Sequence, residues 1–243
     1  MSKLVGIIAA MNIELDMLKT EATNKSSEII SGIEFTKGEI NGHKVVMAVS
    51  GEGKVNAAMC AEAMILKFSP DIIINTGVGG SLNKNLNIGN IAIAKSVVQH
   101  DYDITFLGWP LGMTPFGKRT DDKPWGEDAT VEINCDEEIV SAFQKATEIL
   151  GIHTHTGVIA SGDQFIADSS KKDFIVGNFG AVCCEMEGGA IGQVARINRV
   201  PFGVVRAISD NADENAEVYE FNAVDAAKNS ISVTKEFLNI IDK

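Results

Sequence analysis

Short, unbroken apolar runs recur along the chain, and segments with helical spacing lie between them. Leu4–Ala9, Asp71–Asn75, Thr156–Ser161, Ala181–Cys184 and Pro201–Ser209 are too short for buried helices and lack polar alternation. Such runs mark strands buried on both faces, as happens when helices cover a sheet on either side. Ile88–Val97 reads as a further strand, and Ile33–Ile40 and Lys44–Ser50 flank Asn41-Gly42, a hairpin signal. Lys54–Phe68 is predicted helical, with Val55, Met59, Ala63 and Leu66 as its stripe and a stop at Ser69-Pro70. Glu137–Leu150 sets Ile139, Phe143, Ala146 and Leu150 on one face and ends at Gly151, a C-terminal cap. Met11–Leu18 (capped by Asn12), a segment near Met186–Ile197, and Asn222–Ile241 are the other expected helices. The last would face Val224, Ala227, Ile231, Leu238 and Ile241 inward. Strands alternating with helices, plus one hairpin, predict an α/β fold: a three-layer α/β/α sandwich on a central mixed sheet, in one domain over residues 1–243. The stretch 100–130 holds both tryptophans and most of the prolines, and reads as a partly irregular excursion.

Composition narrows the partners. With 21 Lys and Arg against 33 Asp and Glu, the net charge of −12 repels phosphate backbones and argues against nucleic-acid binding. The apolar start is short and is followed at once by Glu14 and Asp16, so a buried strand fits better than a signal segment. No stretch approaches the roughly 18 apolar residues that span a bilayer. Cys60, Cys135, Cys183 and Cys184 have no zinc spacing, the adjacent Cys183 and Cys184 read as small buried hydrophobes, and the chain reads as reduced and cytoplasmic.

In α/β sheets ligands bind beyond the carboxyl ends of strands. Polar groups collect there at Glu14, Gly51-Glu52-Gly53, Gly77–Gly80, Ser161-Gly162-Asp163, Glu185-Met186-Glu187 and Arg206–Asp210. The glycine segment fails the dinucleotide fingerprint, because Leu82 stands where the third glycine belongs, and it lacks the Gly-Lys-Ser/Thr of a phosphate loop. Either close backbone approach to a ligand or a tight turn accounts for it. Glu14, Glu187 and Asp210 could each complement a helix N-terminus. Gathered in one pocket with Arg206, they would instead separate an acid from a base through burial and like charge. His153 and His155 alternate at a strand start without a third ligand and read as surface; neither a metal nor a cofactor is expected. His100-Asp101 reads as a local hydrogen bond rather than a proton relay.

Arg206-Ala-Ile-Ser-Asp210, preceded by Val204-Val205, resembles the signature of bacterial 5′-methylthioadenosine/S-adenosylhomocysteine nucleosidases. Other segments match that family in order: Gly6–Met11 with Glu14, Ser50–Ala58, Ile72–Gly77, Ser161–Ile166 and Glu185–Glu187. The resemblance spans nearly the whole chain. It implies the purine nucleoside phosphorylase superfold and hydrolysis of the bond between C1′ and adenine N9 in 5′-methylthioadenosine, S-adenosylhomocysteine or both. It implies that Asp210 protonates N7, that Glu14 orients and deprotonates water, and that Arg206 helps hold that water and balances charge. General acid and base roles are each worth roughly 10²–10⁴ in rate. By the same resemblance Glu187 binds the ribose hydroxyls, Met186 packs on the sugar and Phe165 stacks on adenine. The backbone of Ile166 reads the adenine amino edge and Ser209 positions Asp210, while Glu185, Val78 and Gly79 complete the substrate-binding set. Trp109 lies where the family places an aromatic that reaches the neighbouring subunit's pocket. This implies a homodimer, with Met113, Pro115 and Phe116 enlarging the apolar patch.

Two departures stand out. Val78 and Gly79 occupy places where the family has a small hydroxyl residue and an alanine. Glu52 stands where it has an apolar residue near the 5′-substituent. A carboxylate there either favours a polar or cationic 5′ group, such as an amino-acid tail, or points into solvent. Three rival functions follow. A phosphorylase of the same fold needs cations for phosphate. The arginines are Arg119, Arg196, Arg199 and Arg206, none near the strand ends of the N-terminal half, and Lys54 is the one cation there. A hydrolase of another 5′-modified purine nucleoside, such as a futalosine-type compound, keeps the same acid, and the Phe165-Ile166 pair argues for adenine as the base. A non-enzymatic nucleoside binder would lack Glu14 or Asp210, and both are present.

Overall fold

The structure is a computed structural model and describes residues 3–214 and 219–241. Along the chain the strands are β1 (Leu4–Ala9), β2 (Thr23–Ile30), β3 (Ile33–Ile40), β4 (His43–Val49), β5 (Ile72–Ser81), β6 (Ile91–Gln99), β7 (Ile133–Asn134), β8 (Thr154–Ser161), β9 (Ala181–Glu185) and β10 (Phe202–Asp210). The helices are α1 (Asp16–Glu21), α2 (Lys54–Phe68), α3 (Glu137–Leu150), α4 (Ser169–Phe179), α5 (Gly188–Asn198) and α6 (Tyr219–Ile241).

The sheet is mixed, with helices on both faces, as the alternating pattern predicts. β1 lies parallel between β4 and β5. β10 is inserted between β5 and β6, parallel to the first and antiparallel to the second. β8 and β9 follow beyond β6, and β9 returns to β5 through the antiparallel pairs Gly80–Cys184 and Ser81–Cys183. β5, β10, β6, β8 and β9 therefore close a ring, while β1, β4, β3 and β2 extend from it as an open sheet. The ring goes beyond the plain sandwich expected from sequence. The glycines of β5 make it possible, because a Cβ at Gly79 would lie 2.7 Å from Cys183 Sγ and 2.8 Å from the Cys184 carbonyl oxygen.

Neighbouring residues of the central strands serve different cores, which is why the runs are unbroken. Ile8, Ile73 and Val204 pack under α2 and α5 with Cys60, Met64 and Ile191. Ile7, Ile74 and Val205 pack under α1, α3 and α6 with Leu18, Phe143 and Ile231. Phe143 stacks on Phe237 at 4.4 Å between centroids, worth roughly 0.5–1.5 kcal/mol beyond its burial. α3 is capped as expected, with Asp136 accepting the Glu138 and Ile139 amides and Gly151 in the left-handed region at φ 65°. Asn41 and Gly42 both take positive φ (51° and 83°), the geometry a two-residue hairpin needs.

Several expectations are corrected. Val55, Met59 and Leu66 face solvent on α2 (78%, 42% and 73% exposed), and the buried face carries Ala57, Cys60, Ala61 and Met64. The helix is apolar nearly all round, and the sheet takes the face with the smaller side chains. Leu150 and Val224 are likewise partly exposed (39% and 49%). Met11–Leu18 is not one helix: a single 3-10 turn over Asn12–Glu14 precedes α1, with Met11 rather than Asn12 at its start. Gly77–Gly80 is neither a loop nor a turn but the last part of β5. α5 begins at Gly188, not Met186. β2 and α4 had no predicted counterpart.

Candidate active site

The carboxyl ends of β1, β5, β9 and β10 surround a cavity of about 290 Å³. Its wall contains Met11, Glu14, Glu52, Val78, Gly79, Gly80, Phe165, Ile166, Glu185, Met186, Glu187, Ser209 and Asp210. Thus most of the residues singled out in the sequence meet in one place. Arg206 and Trp109 do not line the cavity.

Glu14 is held from two strands. Its Oε2 accepts the Ala10 and Met11 amides at 3.0 and 2.9 Å, and its Oε1 accepts the Val78 amide at 2.9 Å. Gly77 makes this approach possible, since any Cβ there would run into Glu14 Oε1. Burial pushes the Glu14 carboxyl above its ordinary range, against the pull of Arg206 and the three amides. Asp210 sits across the cavity wall. Its Oδ1 accepts the Ala212 amide at 2.8 Å, and its Oδ2 lies 2.8 Å from Ser209 Oγ. Ser209 Oγ is also 3.3 Å from the Gly79 carbonyl oxygen, which fixes the hydroxyl between strand and carboxyl. Burial raises the Asp210 carboxyl too, outweighing those hydrogen bonds. A carboxyl whose pKa is raised holds its proton to higher pH and is better suited to act as an acid.

Between them lies a buried charge cluster. Arg206 Nη2 contacts Glu185 Oε2 and Asn75 Oδ1 and lies 3.5 Å from Glu187 Oε2. Arg206 is only 1% exposed, so it stands behind the carboxylates and not at the cavity surface where sequence reasoning placed it. Burial alone would lower its pKa, but Glu185, Glu187 and Glu14 more than reverse that. Glu185 is committed to protein partners: Ser161 Oγ at Oε1, and the Glu187 and Gly188 amides with Arg206 at Oε2. Glu187 is freer. Its Oε1 accepts the Gly53 amide at 2.9 Å, and burial, reinforced by Glu185, raises its carboxyl to about 7.

Phe165 is half-exposed at the rim and Ile166 is buried beside it. Glu52 lies exposed on the wall, and among the described residues no cation pairs with its carboxylate. Lys54 is turned away, with Nζ 2.6 Å from Asp101. Hence no lysine or arginine lines the cavity among the described residues, whereas five carboxylates do. Asp101 serves Lys54 and the Asp163 amide rather than His100, contrary to expectation. His153 Nε2 meets the Asn85 carbonyl oxygen at 3.1 Å. Trp109 packs edge-on against Trp125 at 5.5 Å in the excursion, whose tip exposes Phe106 (98%) and Leu107 (68%). Phe116, expected in that apolar patch, is buried beneath Arg196.

Residues 4–239 match the family model described as the phosphorylase superfamily. A 5′-methylthioadenosine/S-adenosylhomocysteine nucleosidase of Psychromonas ingrahamii is 36% identical over 238 residues, covering 97% of this chain and 98% of that protein. The nucleosidase of Neisseria meningitidis, solved in complex with methylthio-immucillin-A, superposes with a TM-score of 0.89 at 32% identity, covering 97% of this chain and 98% of that one. A futalosine hydrolase of Helicobacter pylori gives 0.88 at 32% identity, with 98% and 97% covered.

Proposed function

Because the chain belongs to the phosphorylase superfamily, and within it to the 5′-methylthioadenosine/S-adenosylhomocysteine nucleosidases, we propose that it hydrolyses the N-glycosidic bond of 5′-thioadenosines to adenine and the 5′-thio-substituted ribose. One observation carries water over phosphate as the nucleophile. The cavity wall brings carboxylates from several strands together and, among the described residues, offers no cation to a phosphate.

Adenine leaves poorly as an anion, so Asp210 gives its proton to N7. The C1′–N9 electron pair passes to the base, and cationic character builds at C1′, where the buried carboxylates of Glu14 and Glu187 stabilise it. Water adds to C1′ as Glu14 takes its proton, which leaves neutral adenine and a neutral sugar. Proton return from Glu14 to Asp210 through solvent resets the site. Ser209 aims Asp210, and Phe165 supplies the face on which the base stacks, with the Ile166 backbone at its edge. Glu187 accepts from the ribose hydroxyls, Met186 packs on the sugar, and Val78 and Gly79 form the floor. Arg206 acts through Glu185 and Glu187, keeping the cluster from repelling itself.

The remaining wall, Met11 and Glu52, faces the 5′ end of the substrate. An unpaired carboxylate there favours a 5′ group that carries an ammonium. The chain acts as one cytoplasmic domain and as a homodimer. The exposed apolar side chains of α2 and of the Phe106–Leu107 tip supply surface for a second copy to cover, and Trp109 then reaches the partner's cavity.

Product analysis tests the reading. Incubation with 5′-methylthioadenosine should release adenine and methylthioribose equally with and without phosphate. Adenine formed only with phosphate, beside a ribose 1-phosphate, would make the chain a phosphorylase. No adenine in either tube would move the substrate to another 5′-modified nucleoside.

A further inference from the structure

Lys54, Asp101 and Asp163 come from three separate parts of the chain: the start of α2, the residues after β6 and the loop after β8. Lys54 Nζ lies 2.6 Å from Asp101 Oδ1, Asp101 Oδ2 accepts the Asp163 amide at 2.8 Å, and Asp163 Oδ1 accepts the Lys54 amide at 2.7 Å. The three links close a cycle. The two ion-paired side chains are each 16% exposed, so solvent screens them little. Burial pushes the Asp101 carboxyl up, yet Lys54 and the Asp163 amide together hold it below the ordinary range.

The cycle touches the cavity from both sides without lining it. Gly53, at the cap of α2, has no side chain to satisfy the first amides of the helix. Glu187 takes the Gly53 amide and Asp163 the Lys54 amide. Asp163 also fixes one end of the segment that carries Phe165, and Asp168, which accepts the Lys171 amide at 2.8 Å, fixes the other. The Gly162 amide donates to the Glu185 carbonyl oxygen at 3.1 Å, and the His100 ring covers Gly162 so closely that a Cβ there would strike it. Residues 164–167 thus run between two fixed ends, with Ile166 packed into the core beside Ile175 and Ala160.

We propose that the Lys54–Asp101–Asp163 cycle is a positioning clamp that holds the Phe165 segment against α2 and thereby sets affinity for the base. The inference rests on the reading of Phe165 as the base-stacking residue. Asp101→Asn and Lys54→Met, made in the full chain, should raise KM for 5′-methylthioadenosine about tenfold, the scale of one charged hydrogen bond, and leave kcat within about threefold. Lys54→Arg should restore most of the affinity, and the double variant should be no worse than either single one. Without substrate, amide exchange should quicken in 162–168 and not in β8. A KM within about twofold of the parent with unchanged exchange in 162–168 overturns the clamp. So does a loss confined to kcat. If the parent protein releases no adenine, the substrate reading falls, and exchange alone then decides: unchanged protection of 162–168 overturns the clamp and faster exchange upholds it.

Discussion

Gly77 is the most informative single position for the proposed base. Its backbone is ordinary strand, and a Cβ built there meets Glu14 Cδ at 2.8 Å and Oε2 at 3.2 Å, where ordinary contact begins at 3.4 Å. Glu14 Oε1 is nearer still, so Gly77→Ala forces that oxygen back by about 1 Å to reach ordinary contact. That oxygen is the one that accepts the Val78 amide at 2.9 Å, so this hydrogen bond would be stretched past its range. Overpacking of this kind costs about 1–3 kcal/mol. A displacement of that size at a catalytic group costs roughly 10–10² in rate. Stopped or continuous adenine release gives kcat, and urea unfolding gives the stability loss. The decisive control is Glu14→Ala/Gly77→Ala. With the carboxylate gone the clash goes too, so Gly77→Ala should cost almost no stability in that background, while activity stays lost. If Gly77→Ala destabilised both backgrounds equally, the clash would lie elsewhere. If it left kcat unchanged, Glu14 would not be the base.

Three further outcomes are expected. Asp210→Asn should abolish turnover while nucleoside still binds by calorimetry, and more than about a tenth of the activity would remove it as the acid. Glu52→Ile should shift the kcat/KM ratio away from S-adenosylhomocysteine and toward 5′-methylthioadenosine; an unchanged ratio would place the carboxylate in solvent during binding. Glu187, raised from 4.5 to about 7, binds its proton more tightly folded than unfolded. Its stabilising share is therefore complete below about pH 4.5 and is lost as pH rises through about 7, up to roughly 3 kcal/mol. Urea midpoints across that range should fall with pH, and Glu187→Gln should flatten the fall; an identical slope in the variant would refute the assignment.

The site was legible where chemistry sits at a strand end. Glu14, Glu185–Glu187 and Ser209–Asp210 each follow an apolar run, and the fold brings them to one wall. Gly77–Gly80 was harder, because glycines read as turns, yet here they are strand residues whose missing side chains admit Glu14 and Asp210. α2 was correct in its limits and wrong in its face, since periodicity cannot choose between two apolar sides. β2 escaped notice because an edge strand with few buried side chains carries little hydrophobic signal. The partners of Arg206 and of Asp101 were out of reach: Asp101 joins residues 47 and 62 positions away, and only the folded sheet makes them neighbours.

The insertion of β10 between β5 and β6 also has a consequence in time. β5 and β6 leave the ribosome early, but the strand that fills the gap between them ends at residue 210. Until it emerges, a nascent chain exposes two apolar strand edges at the heart of its sheet, the kind of surface that invites wrong pairing. Asp210, the proposed acid, is the last residue of that strand, so the catalytic centre is finished by the same event that seals the sheet.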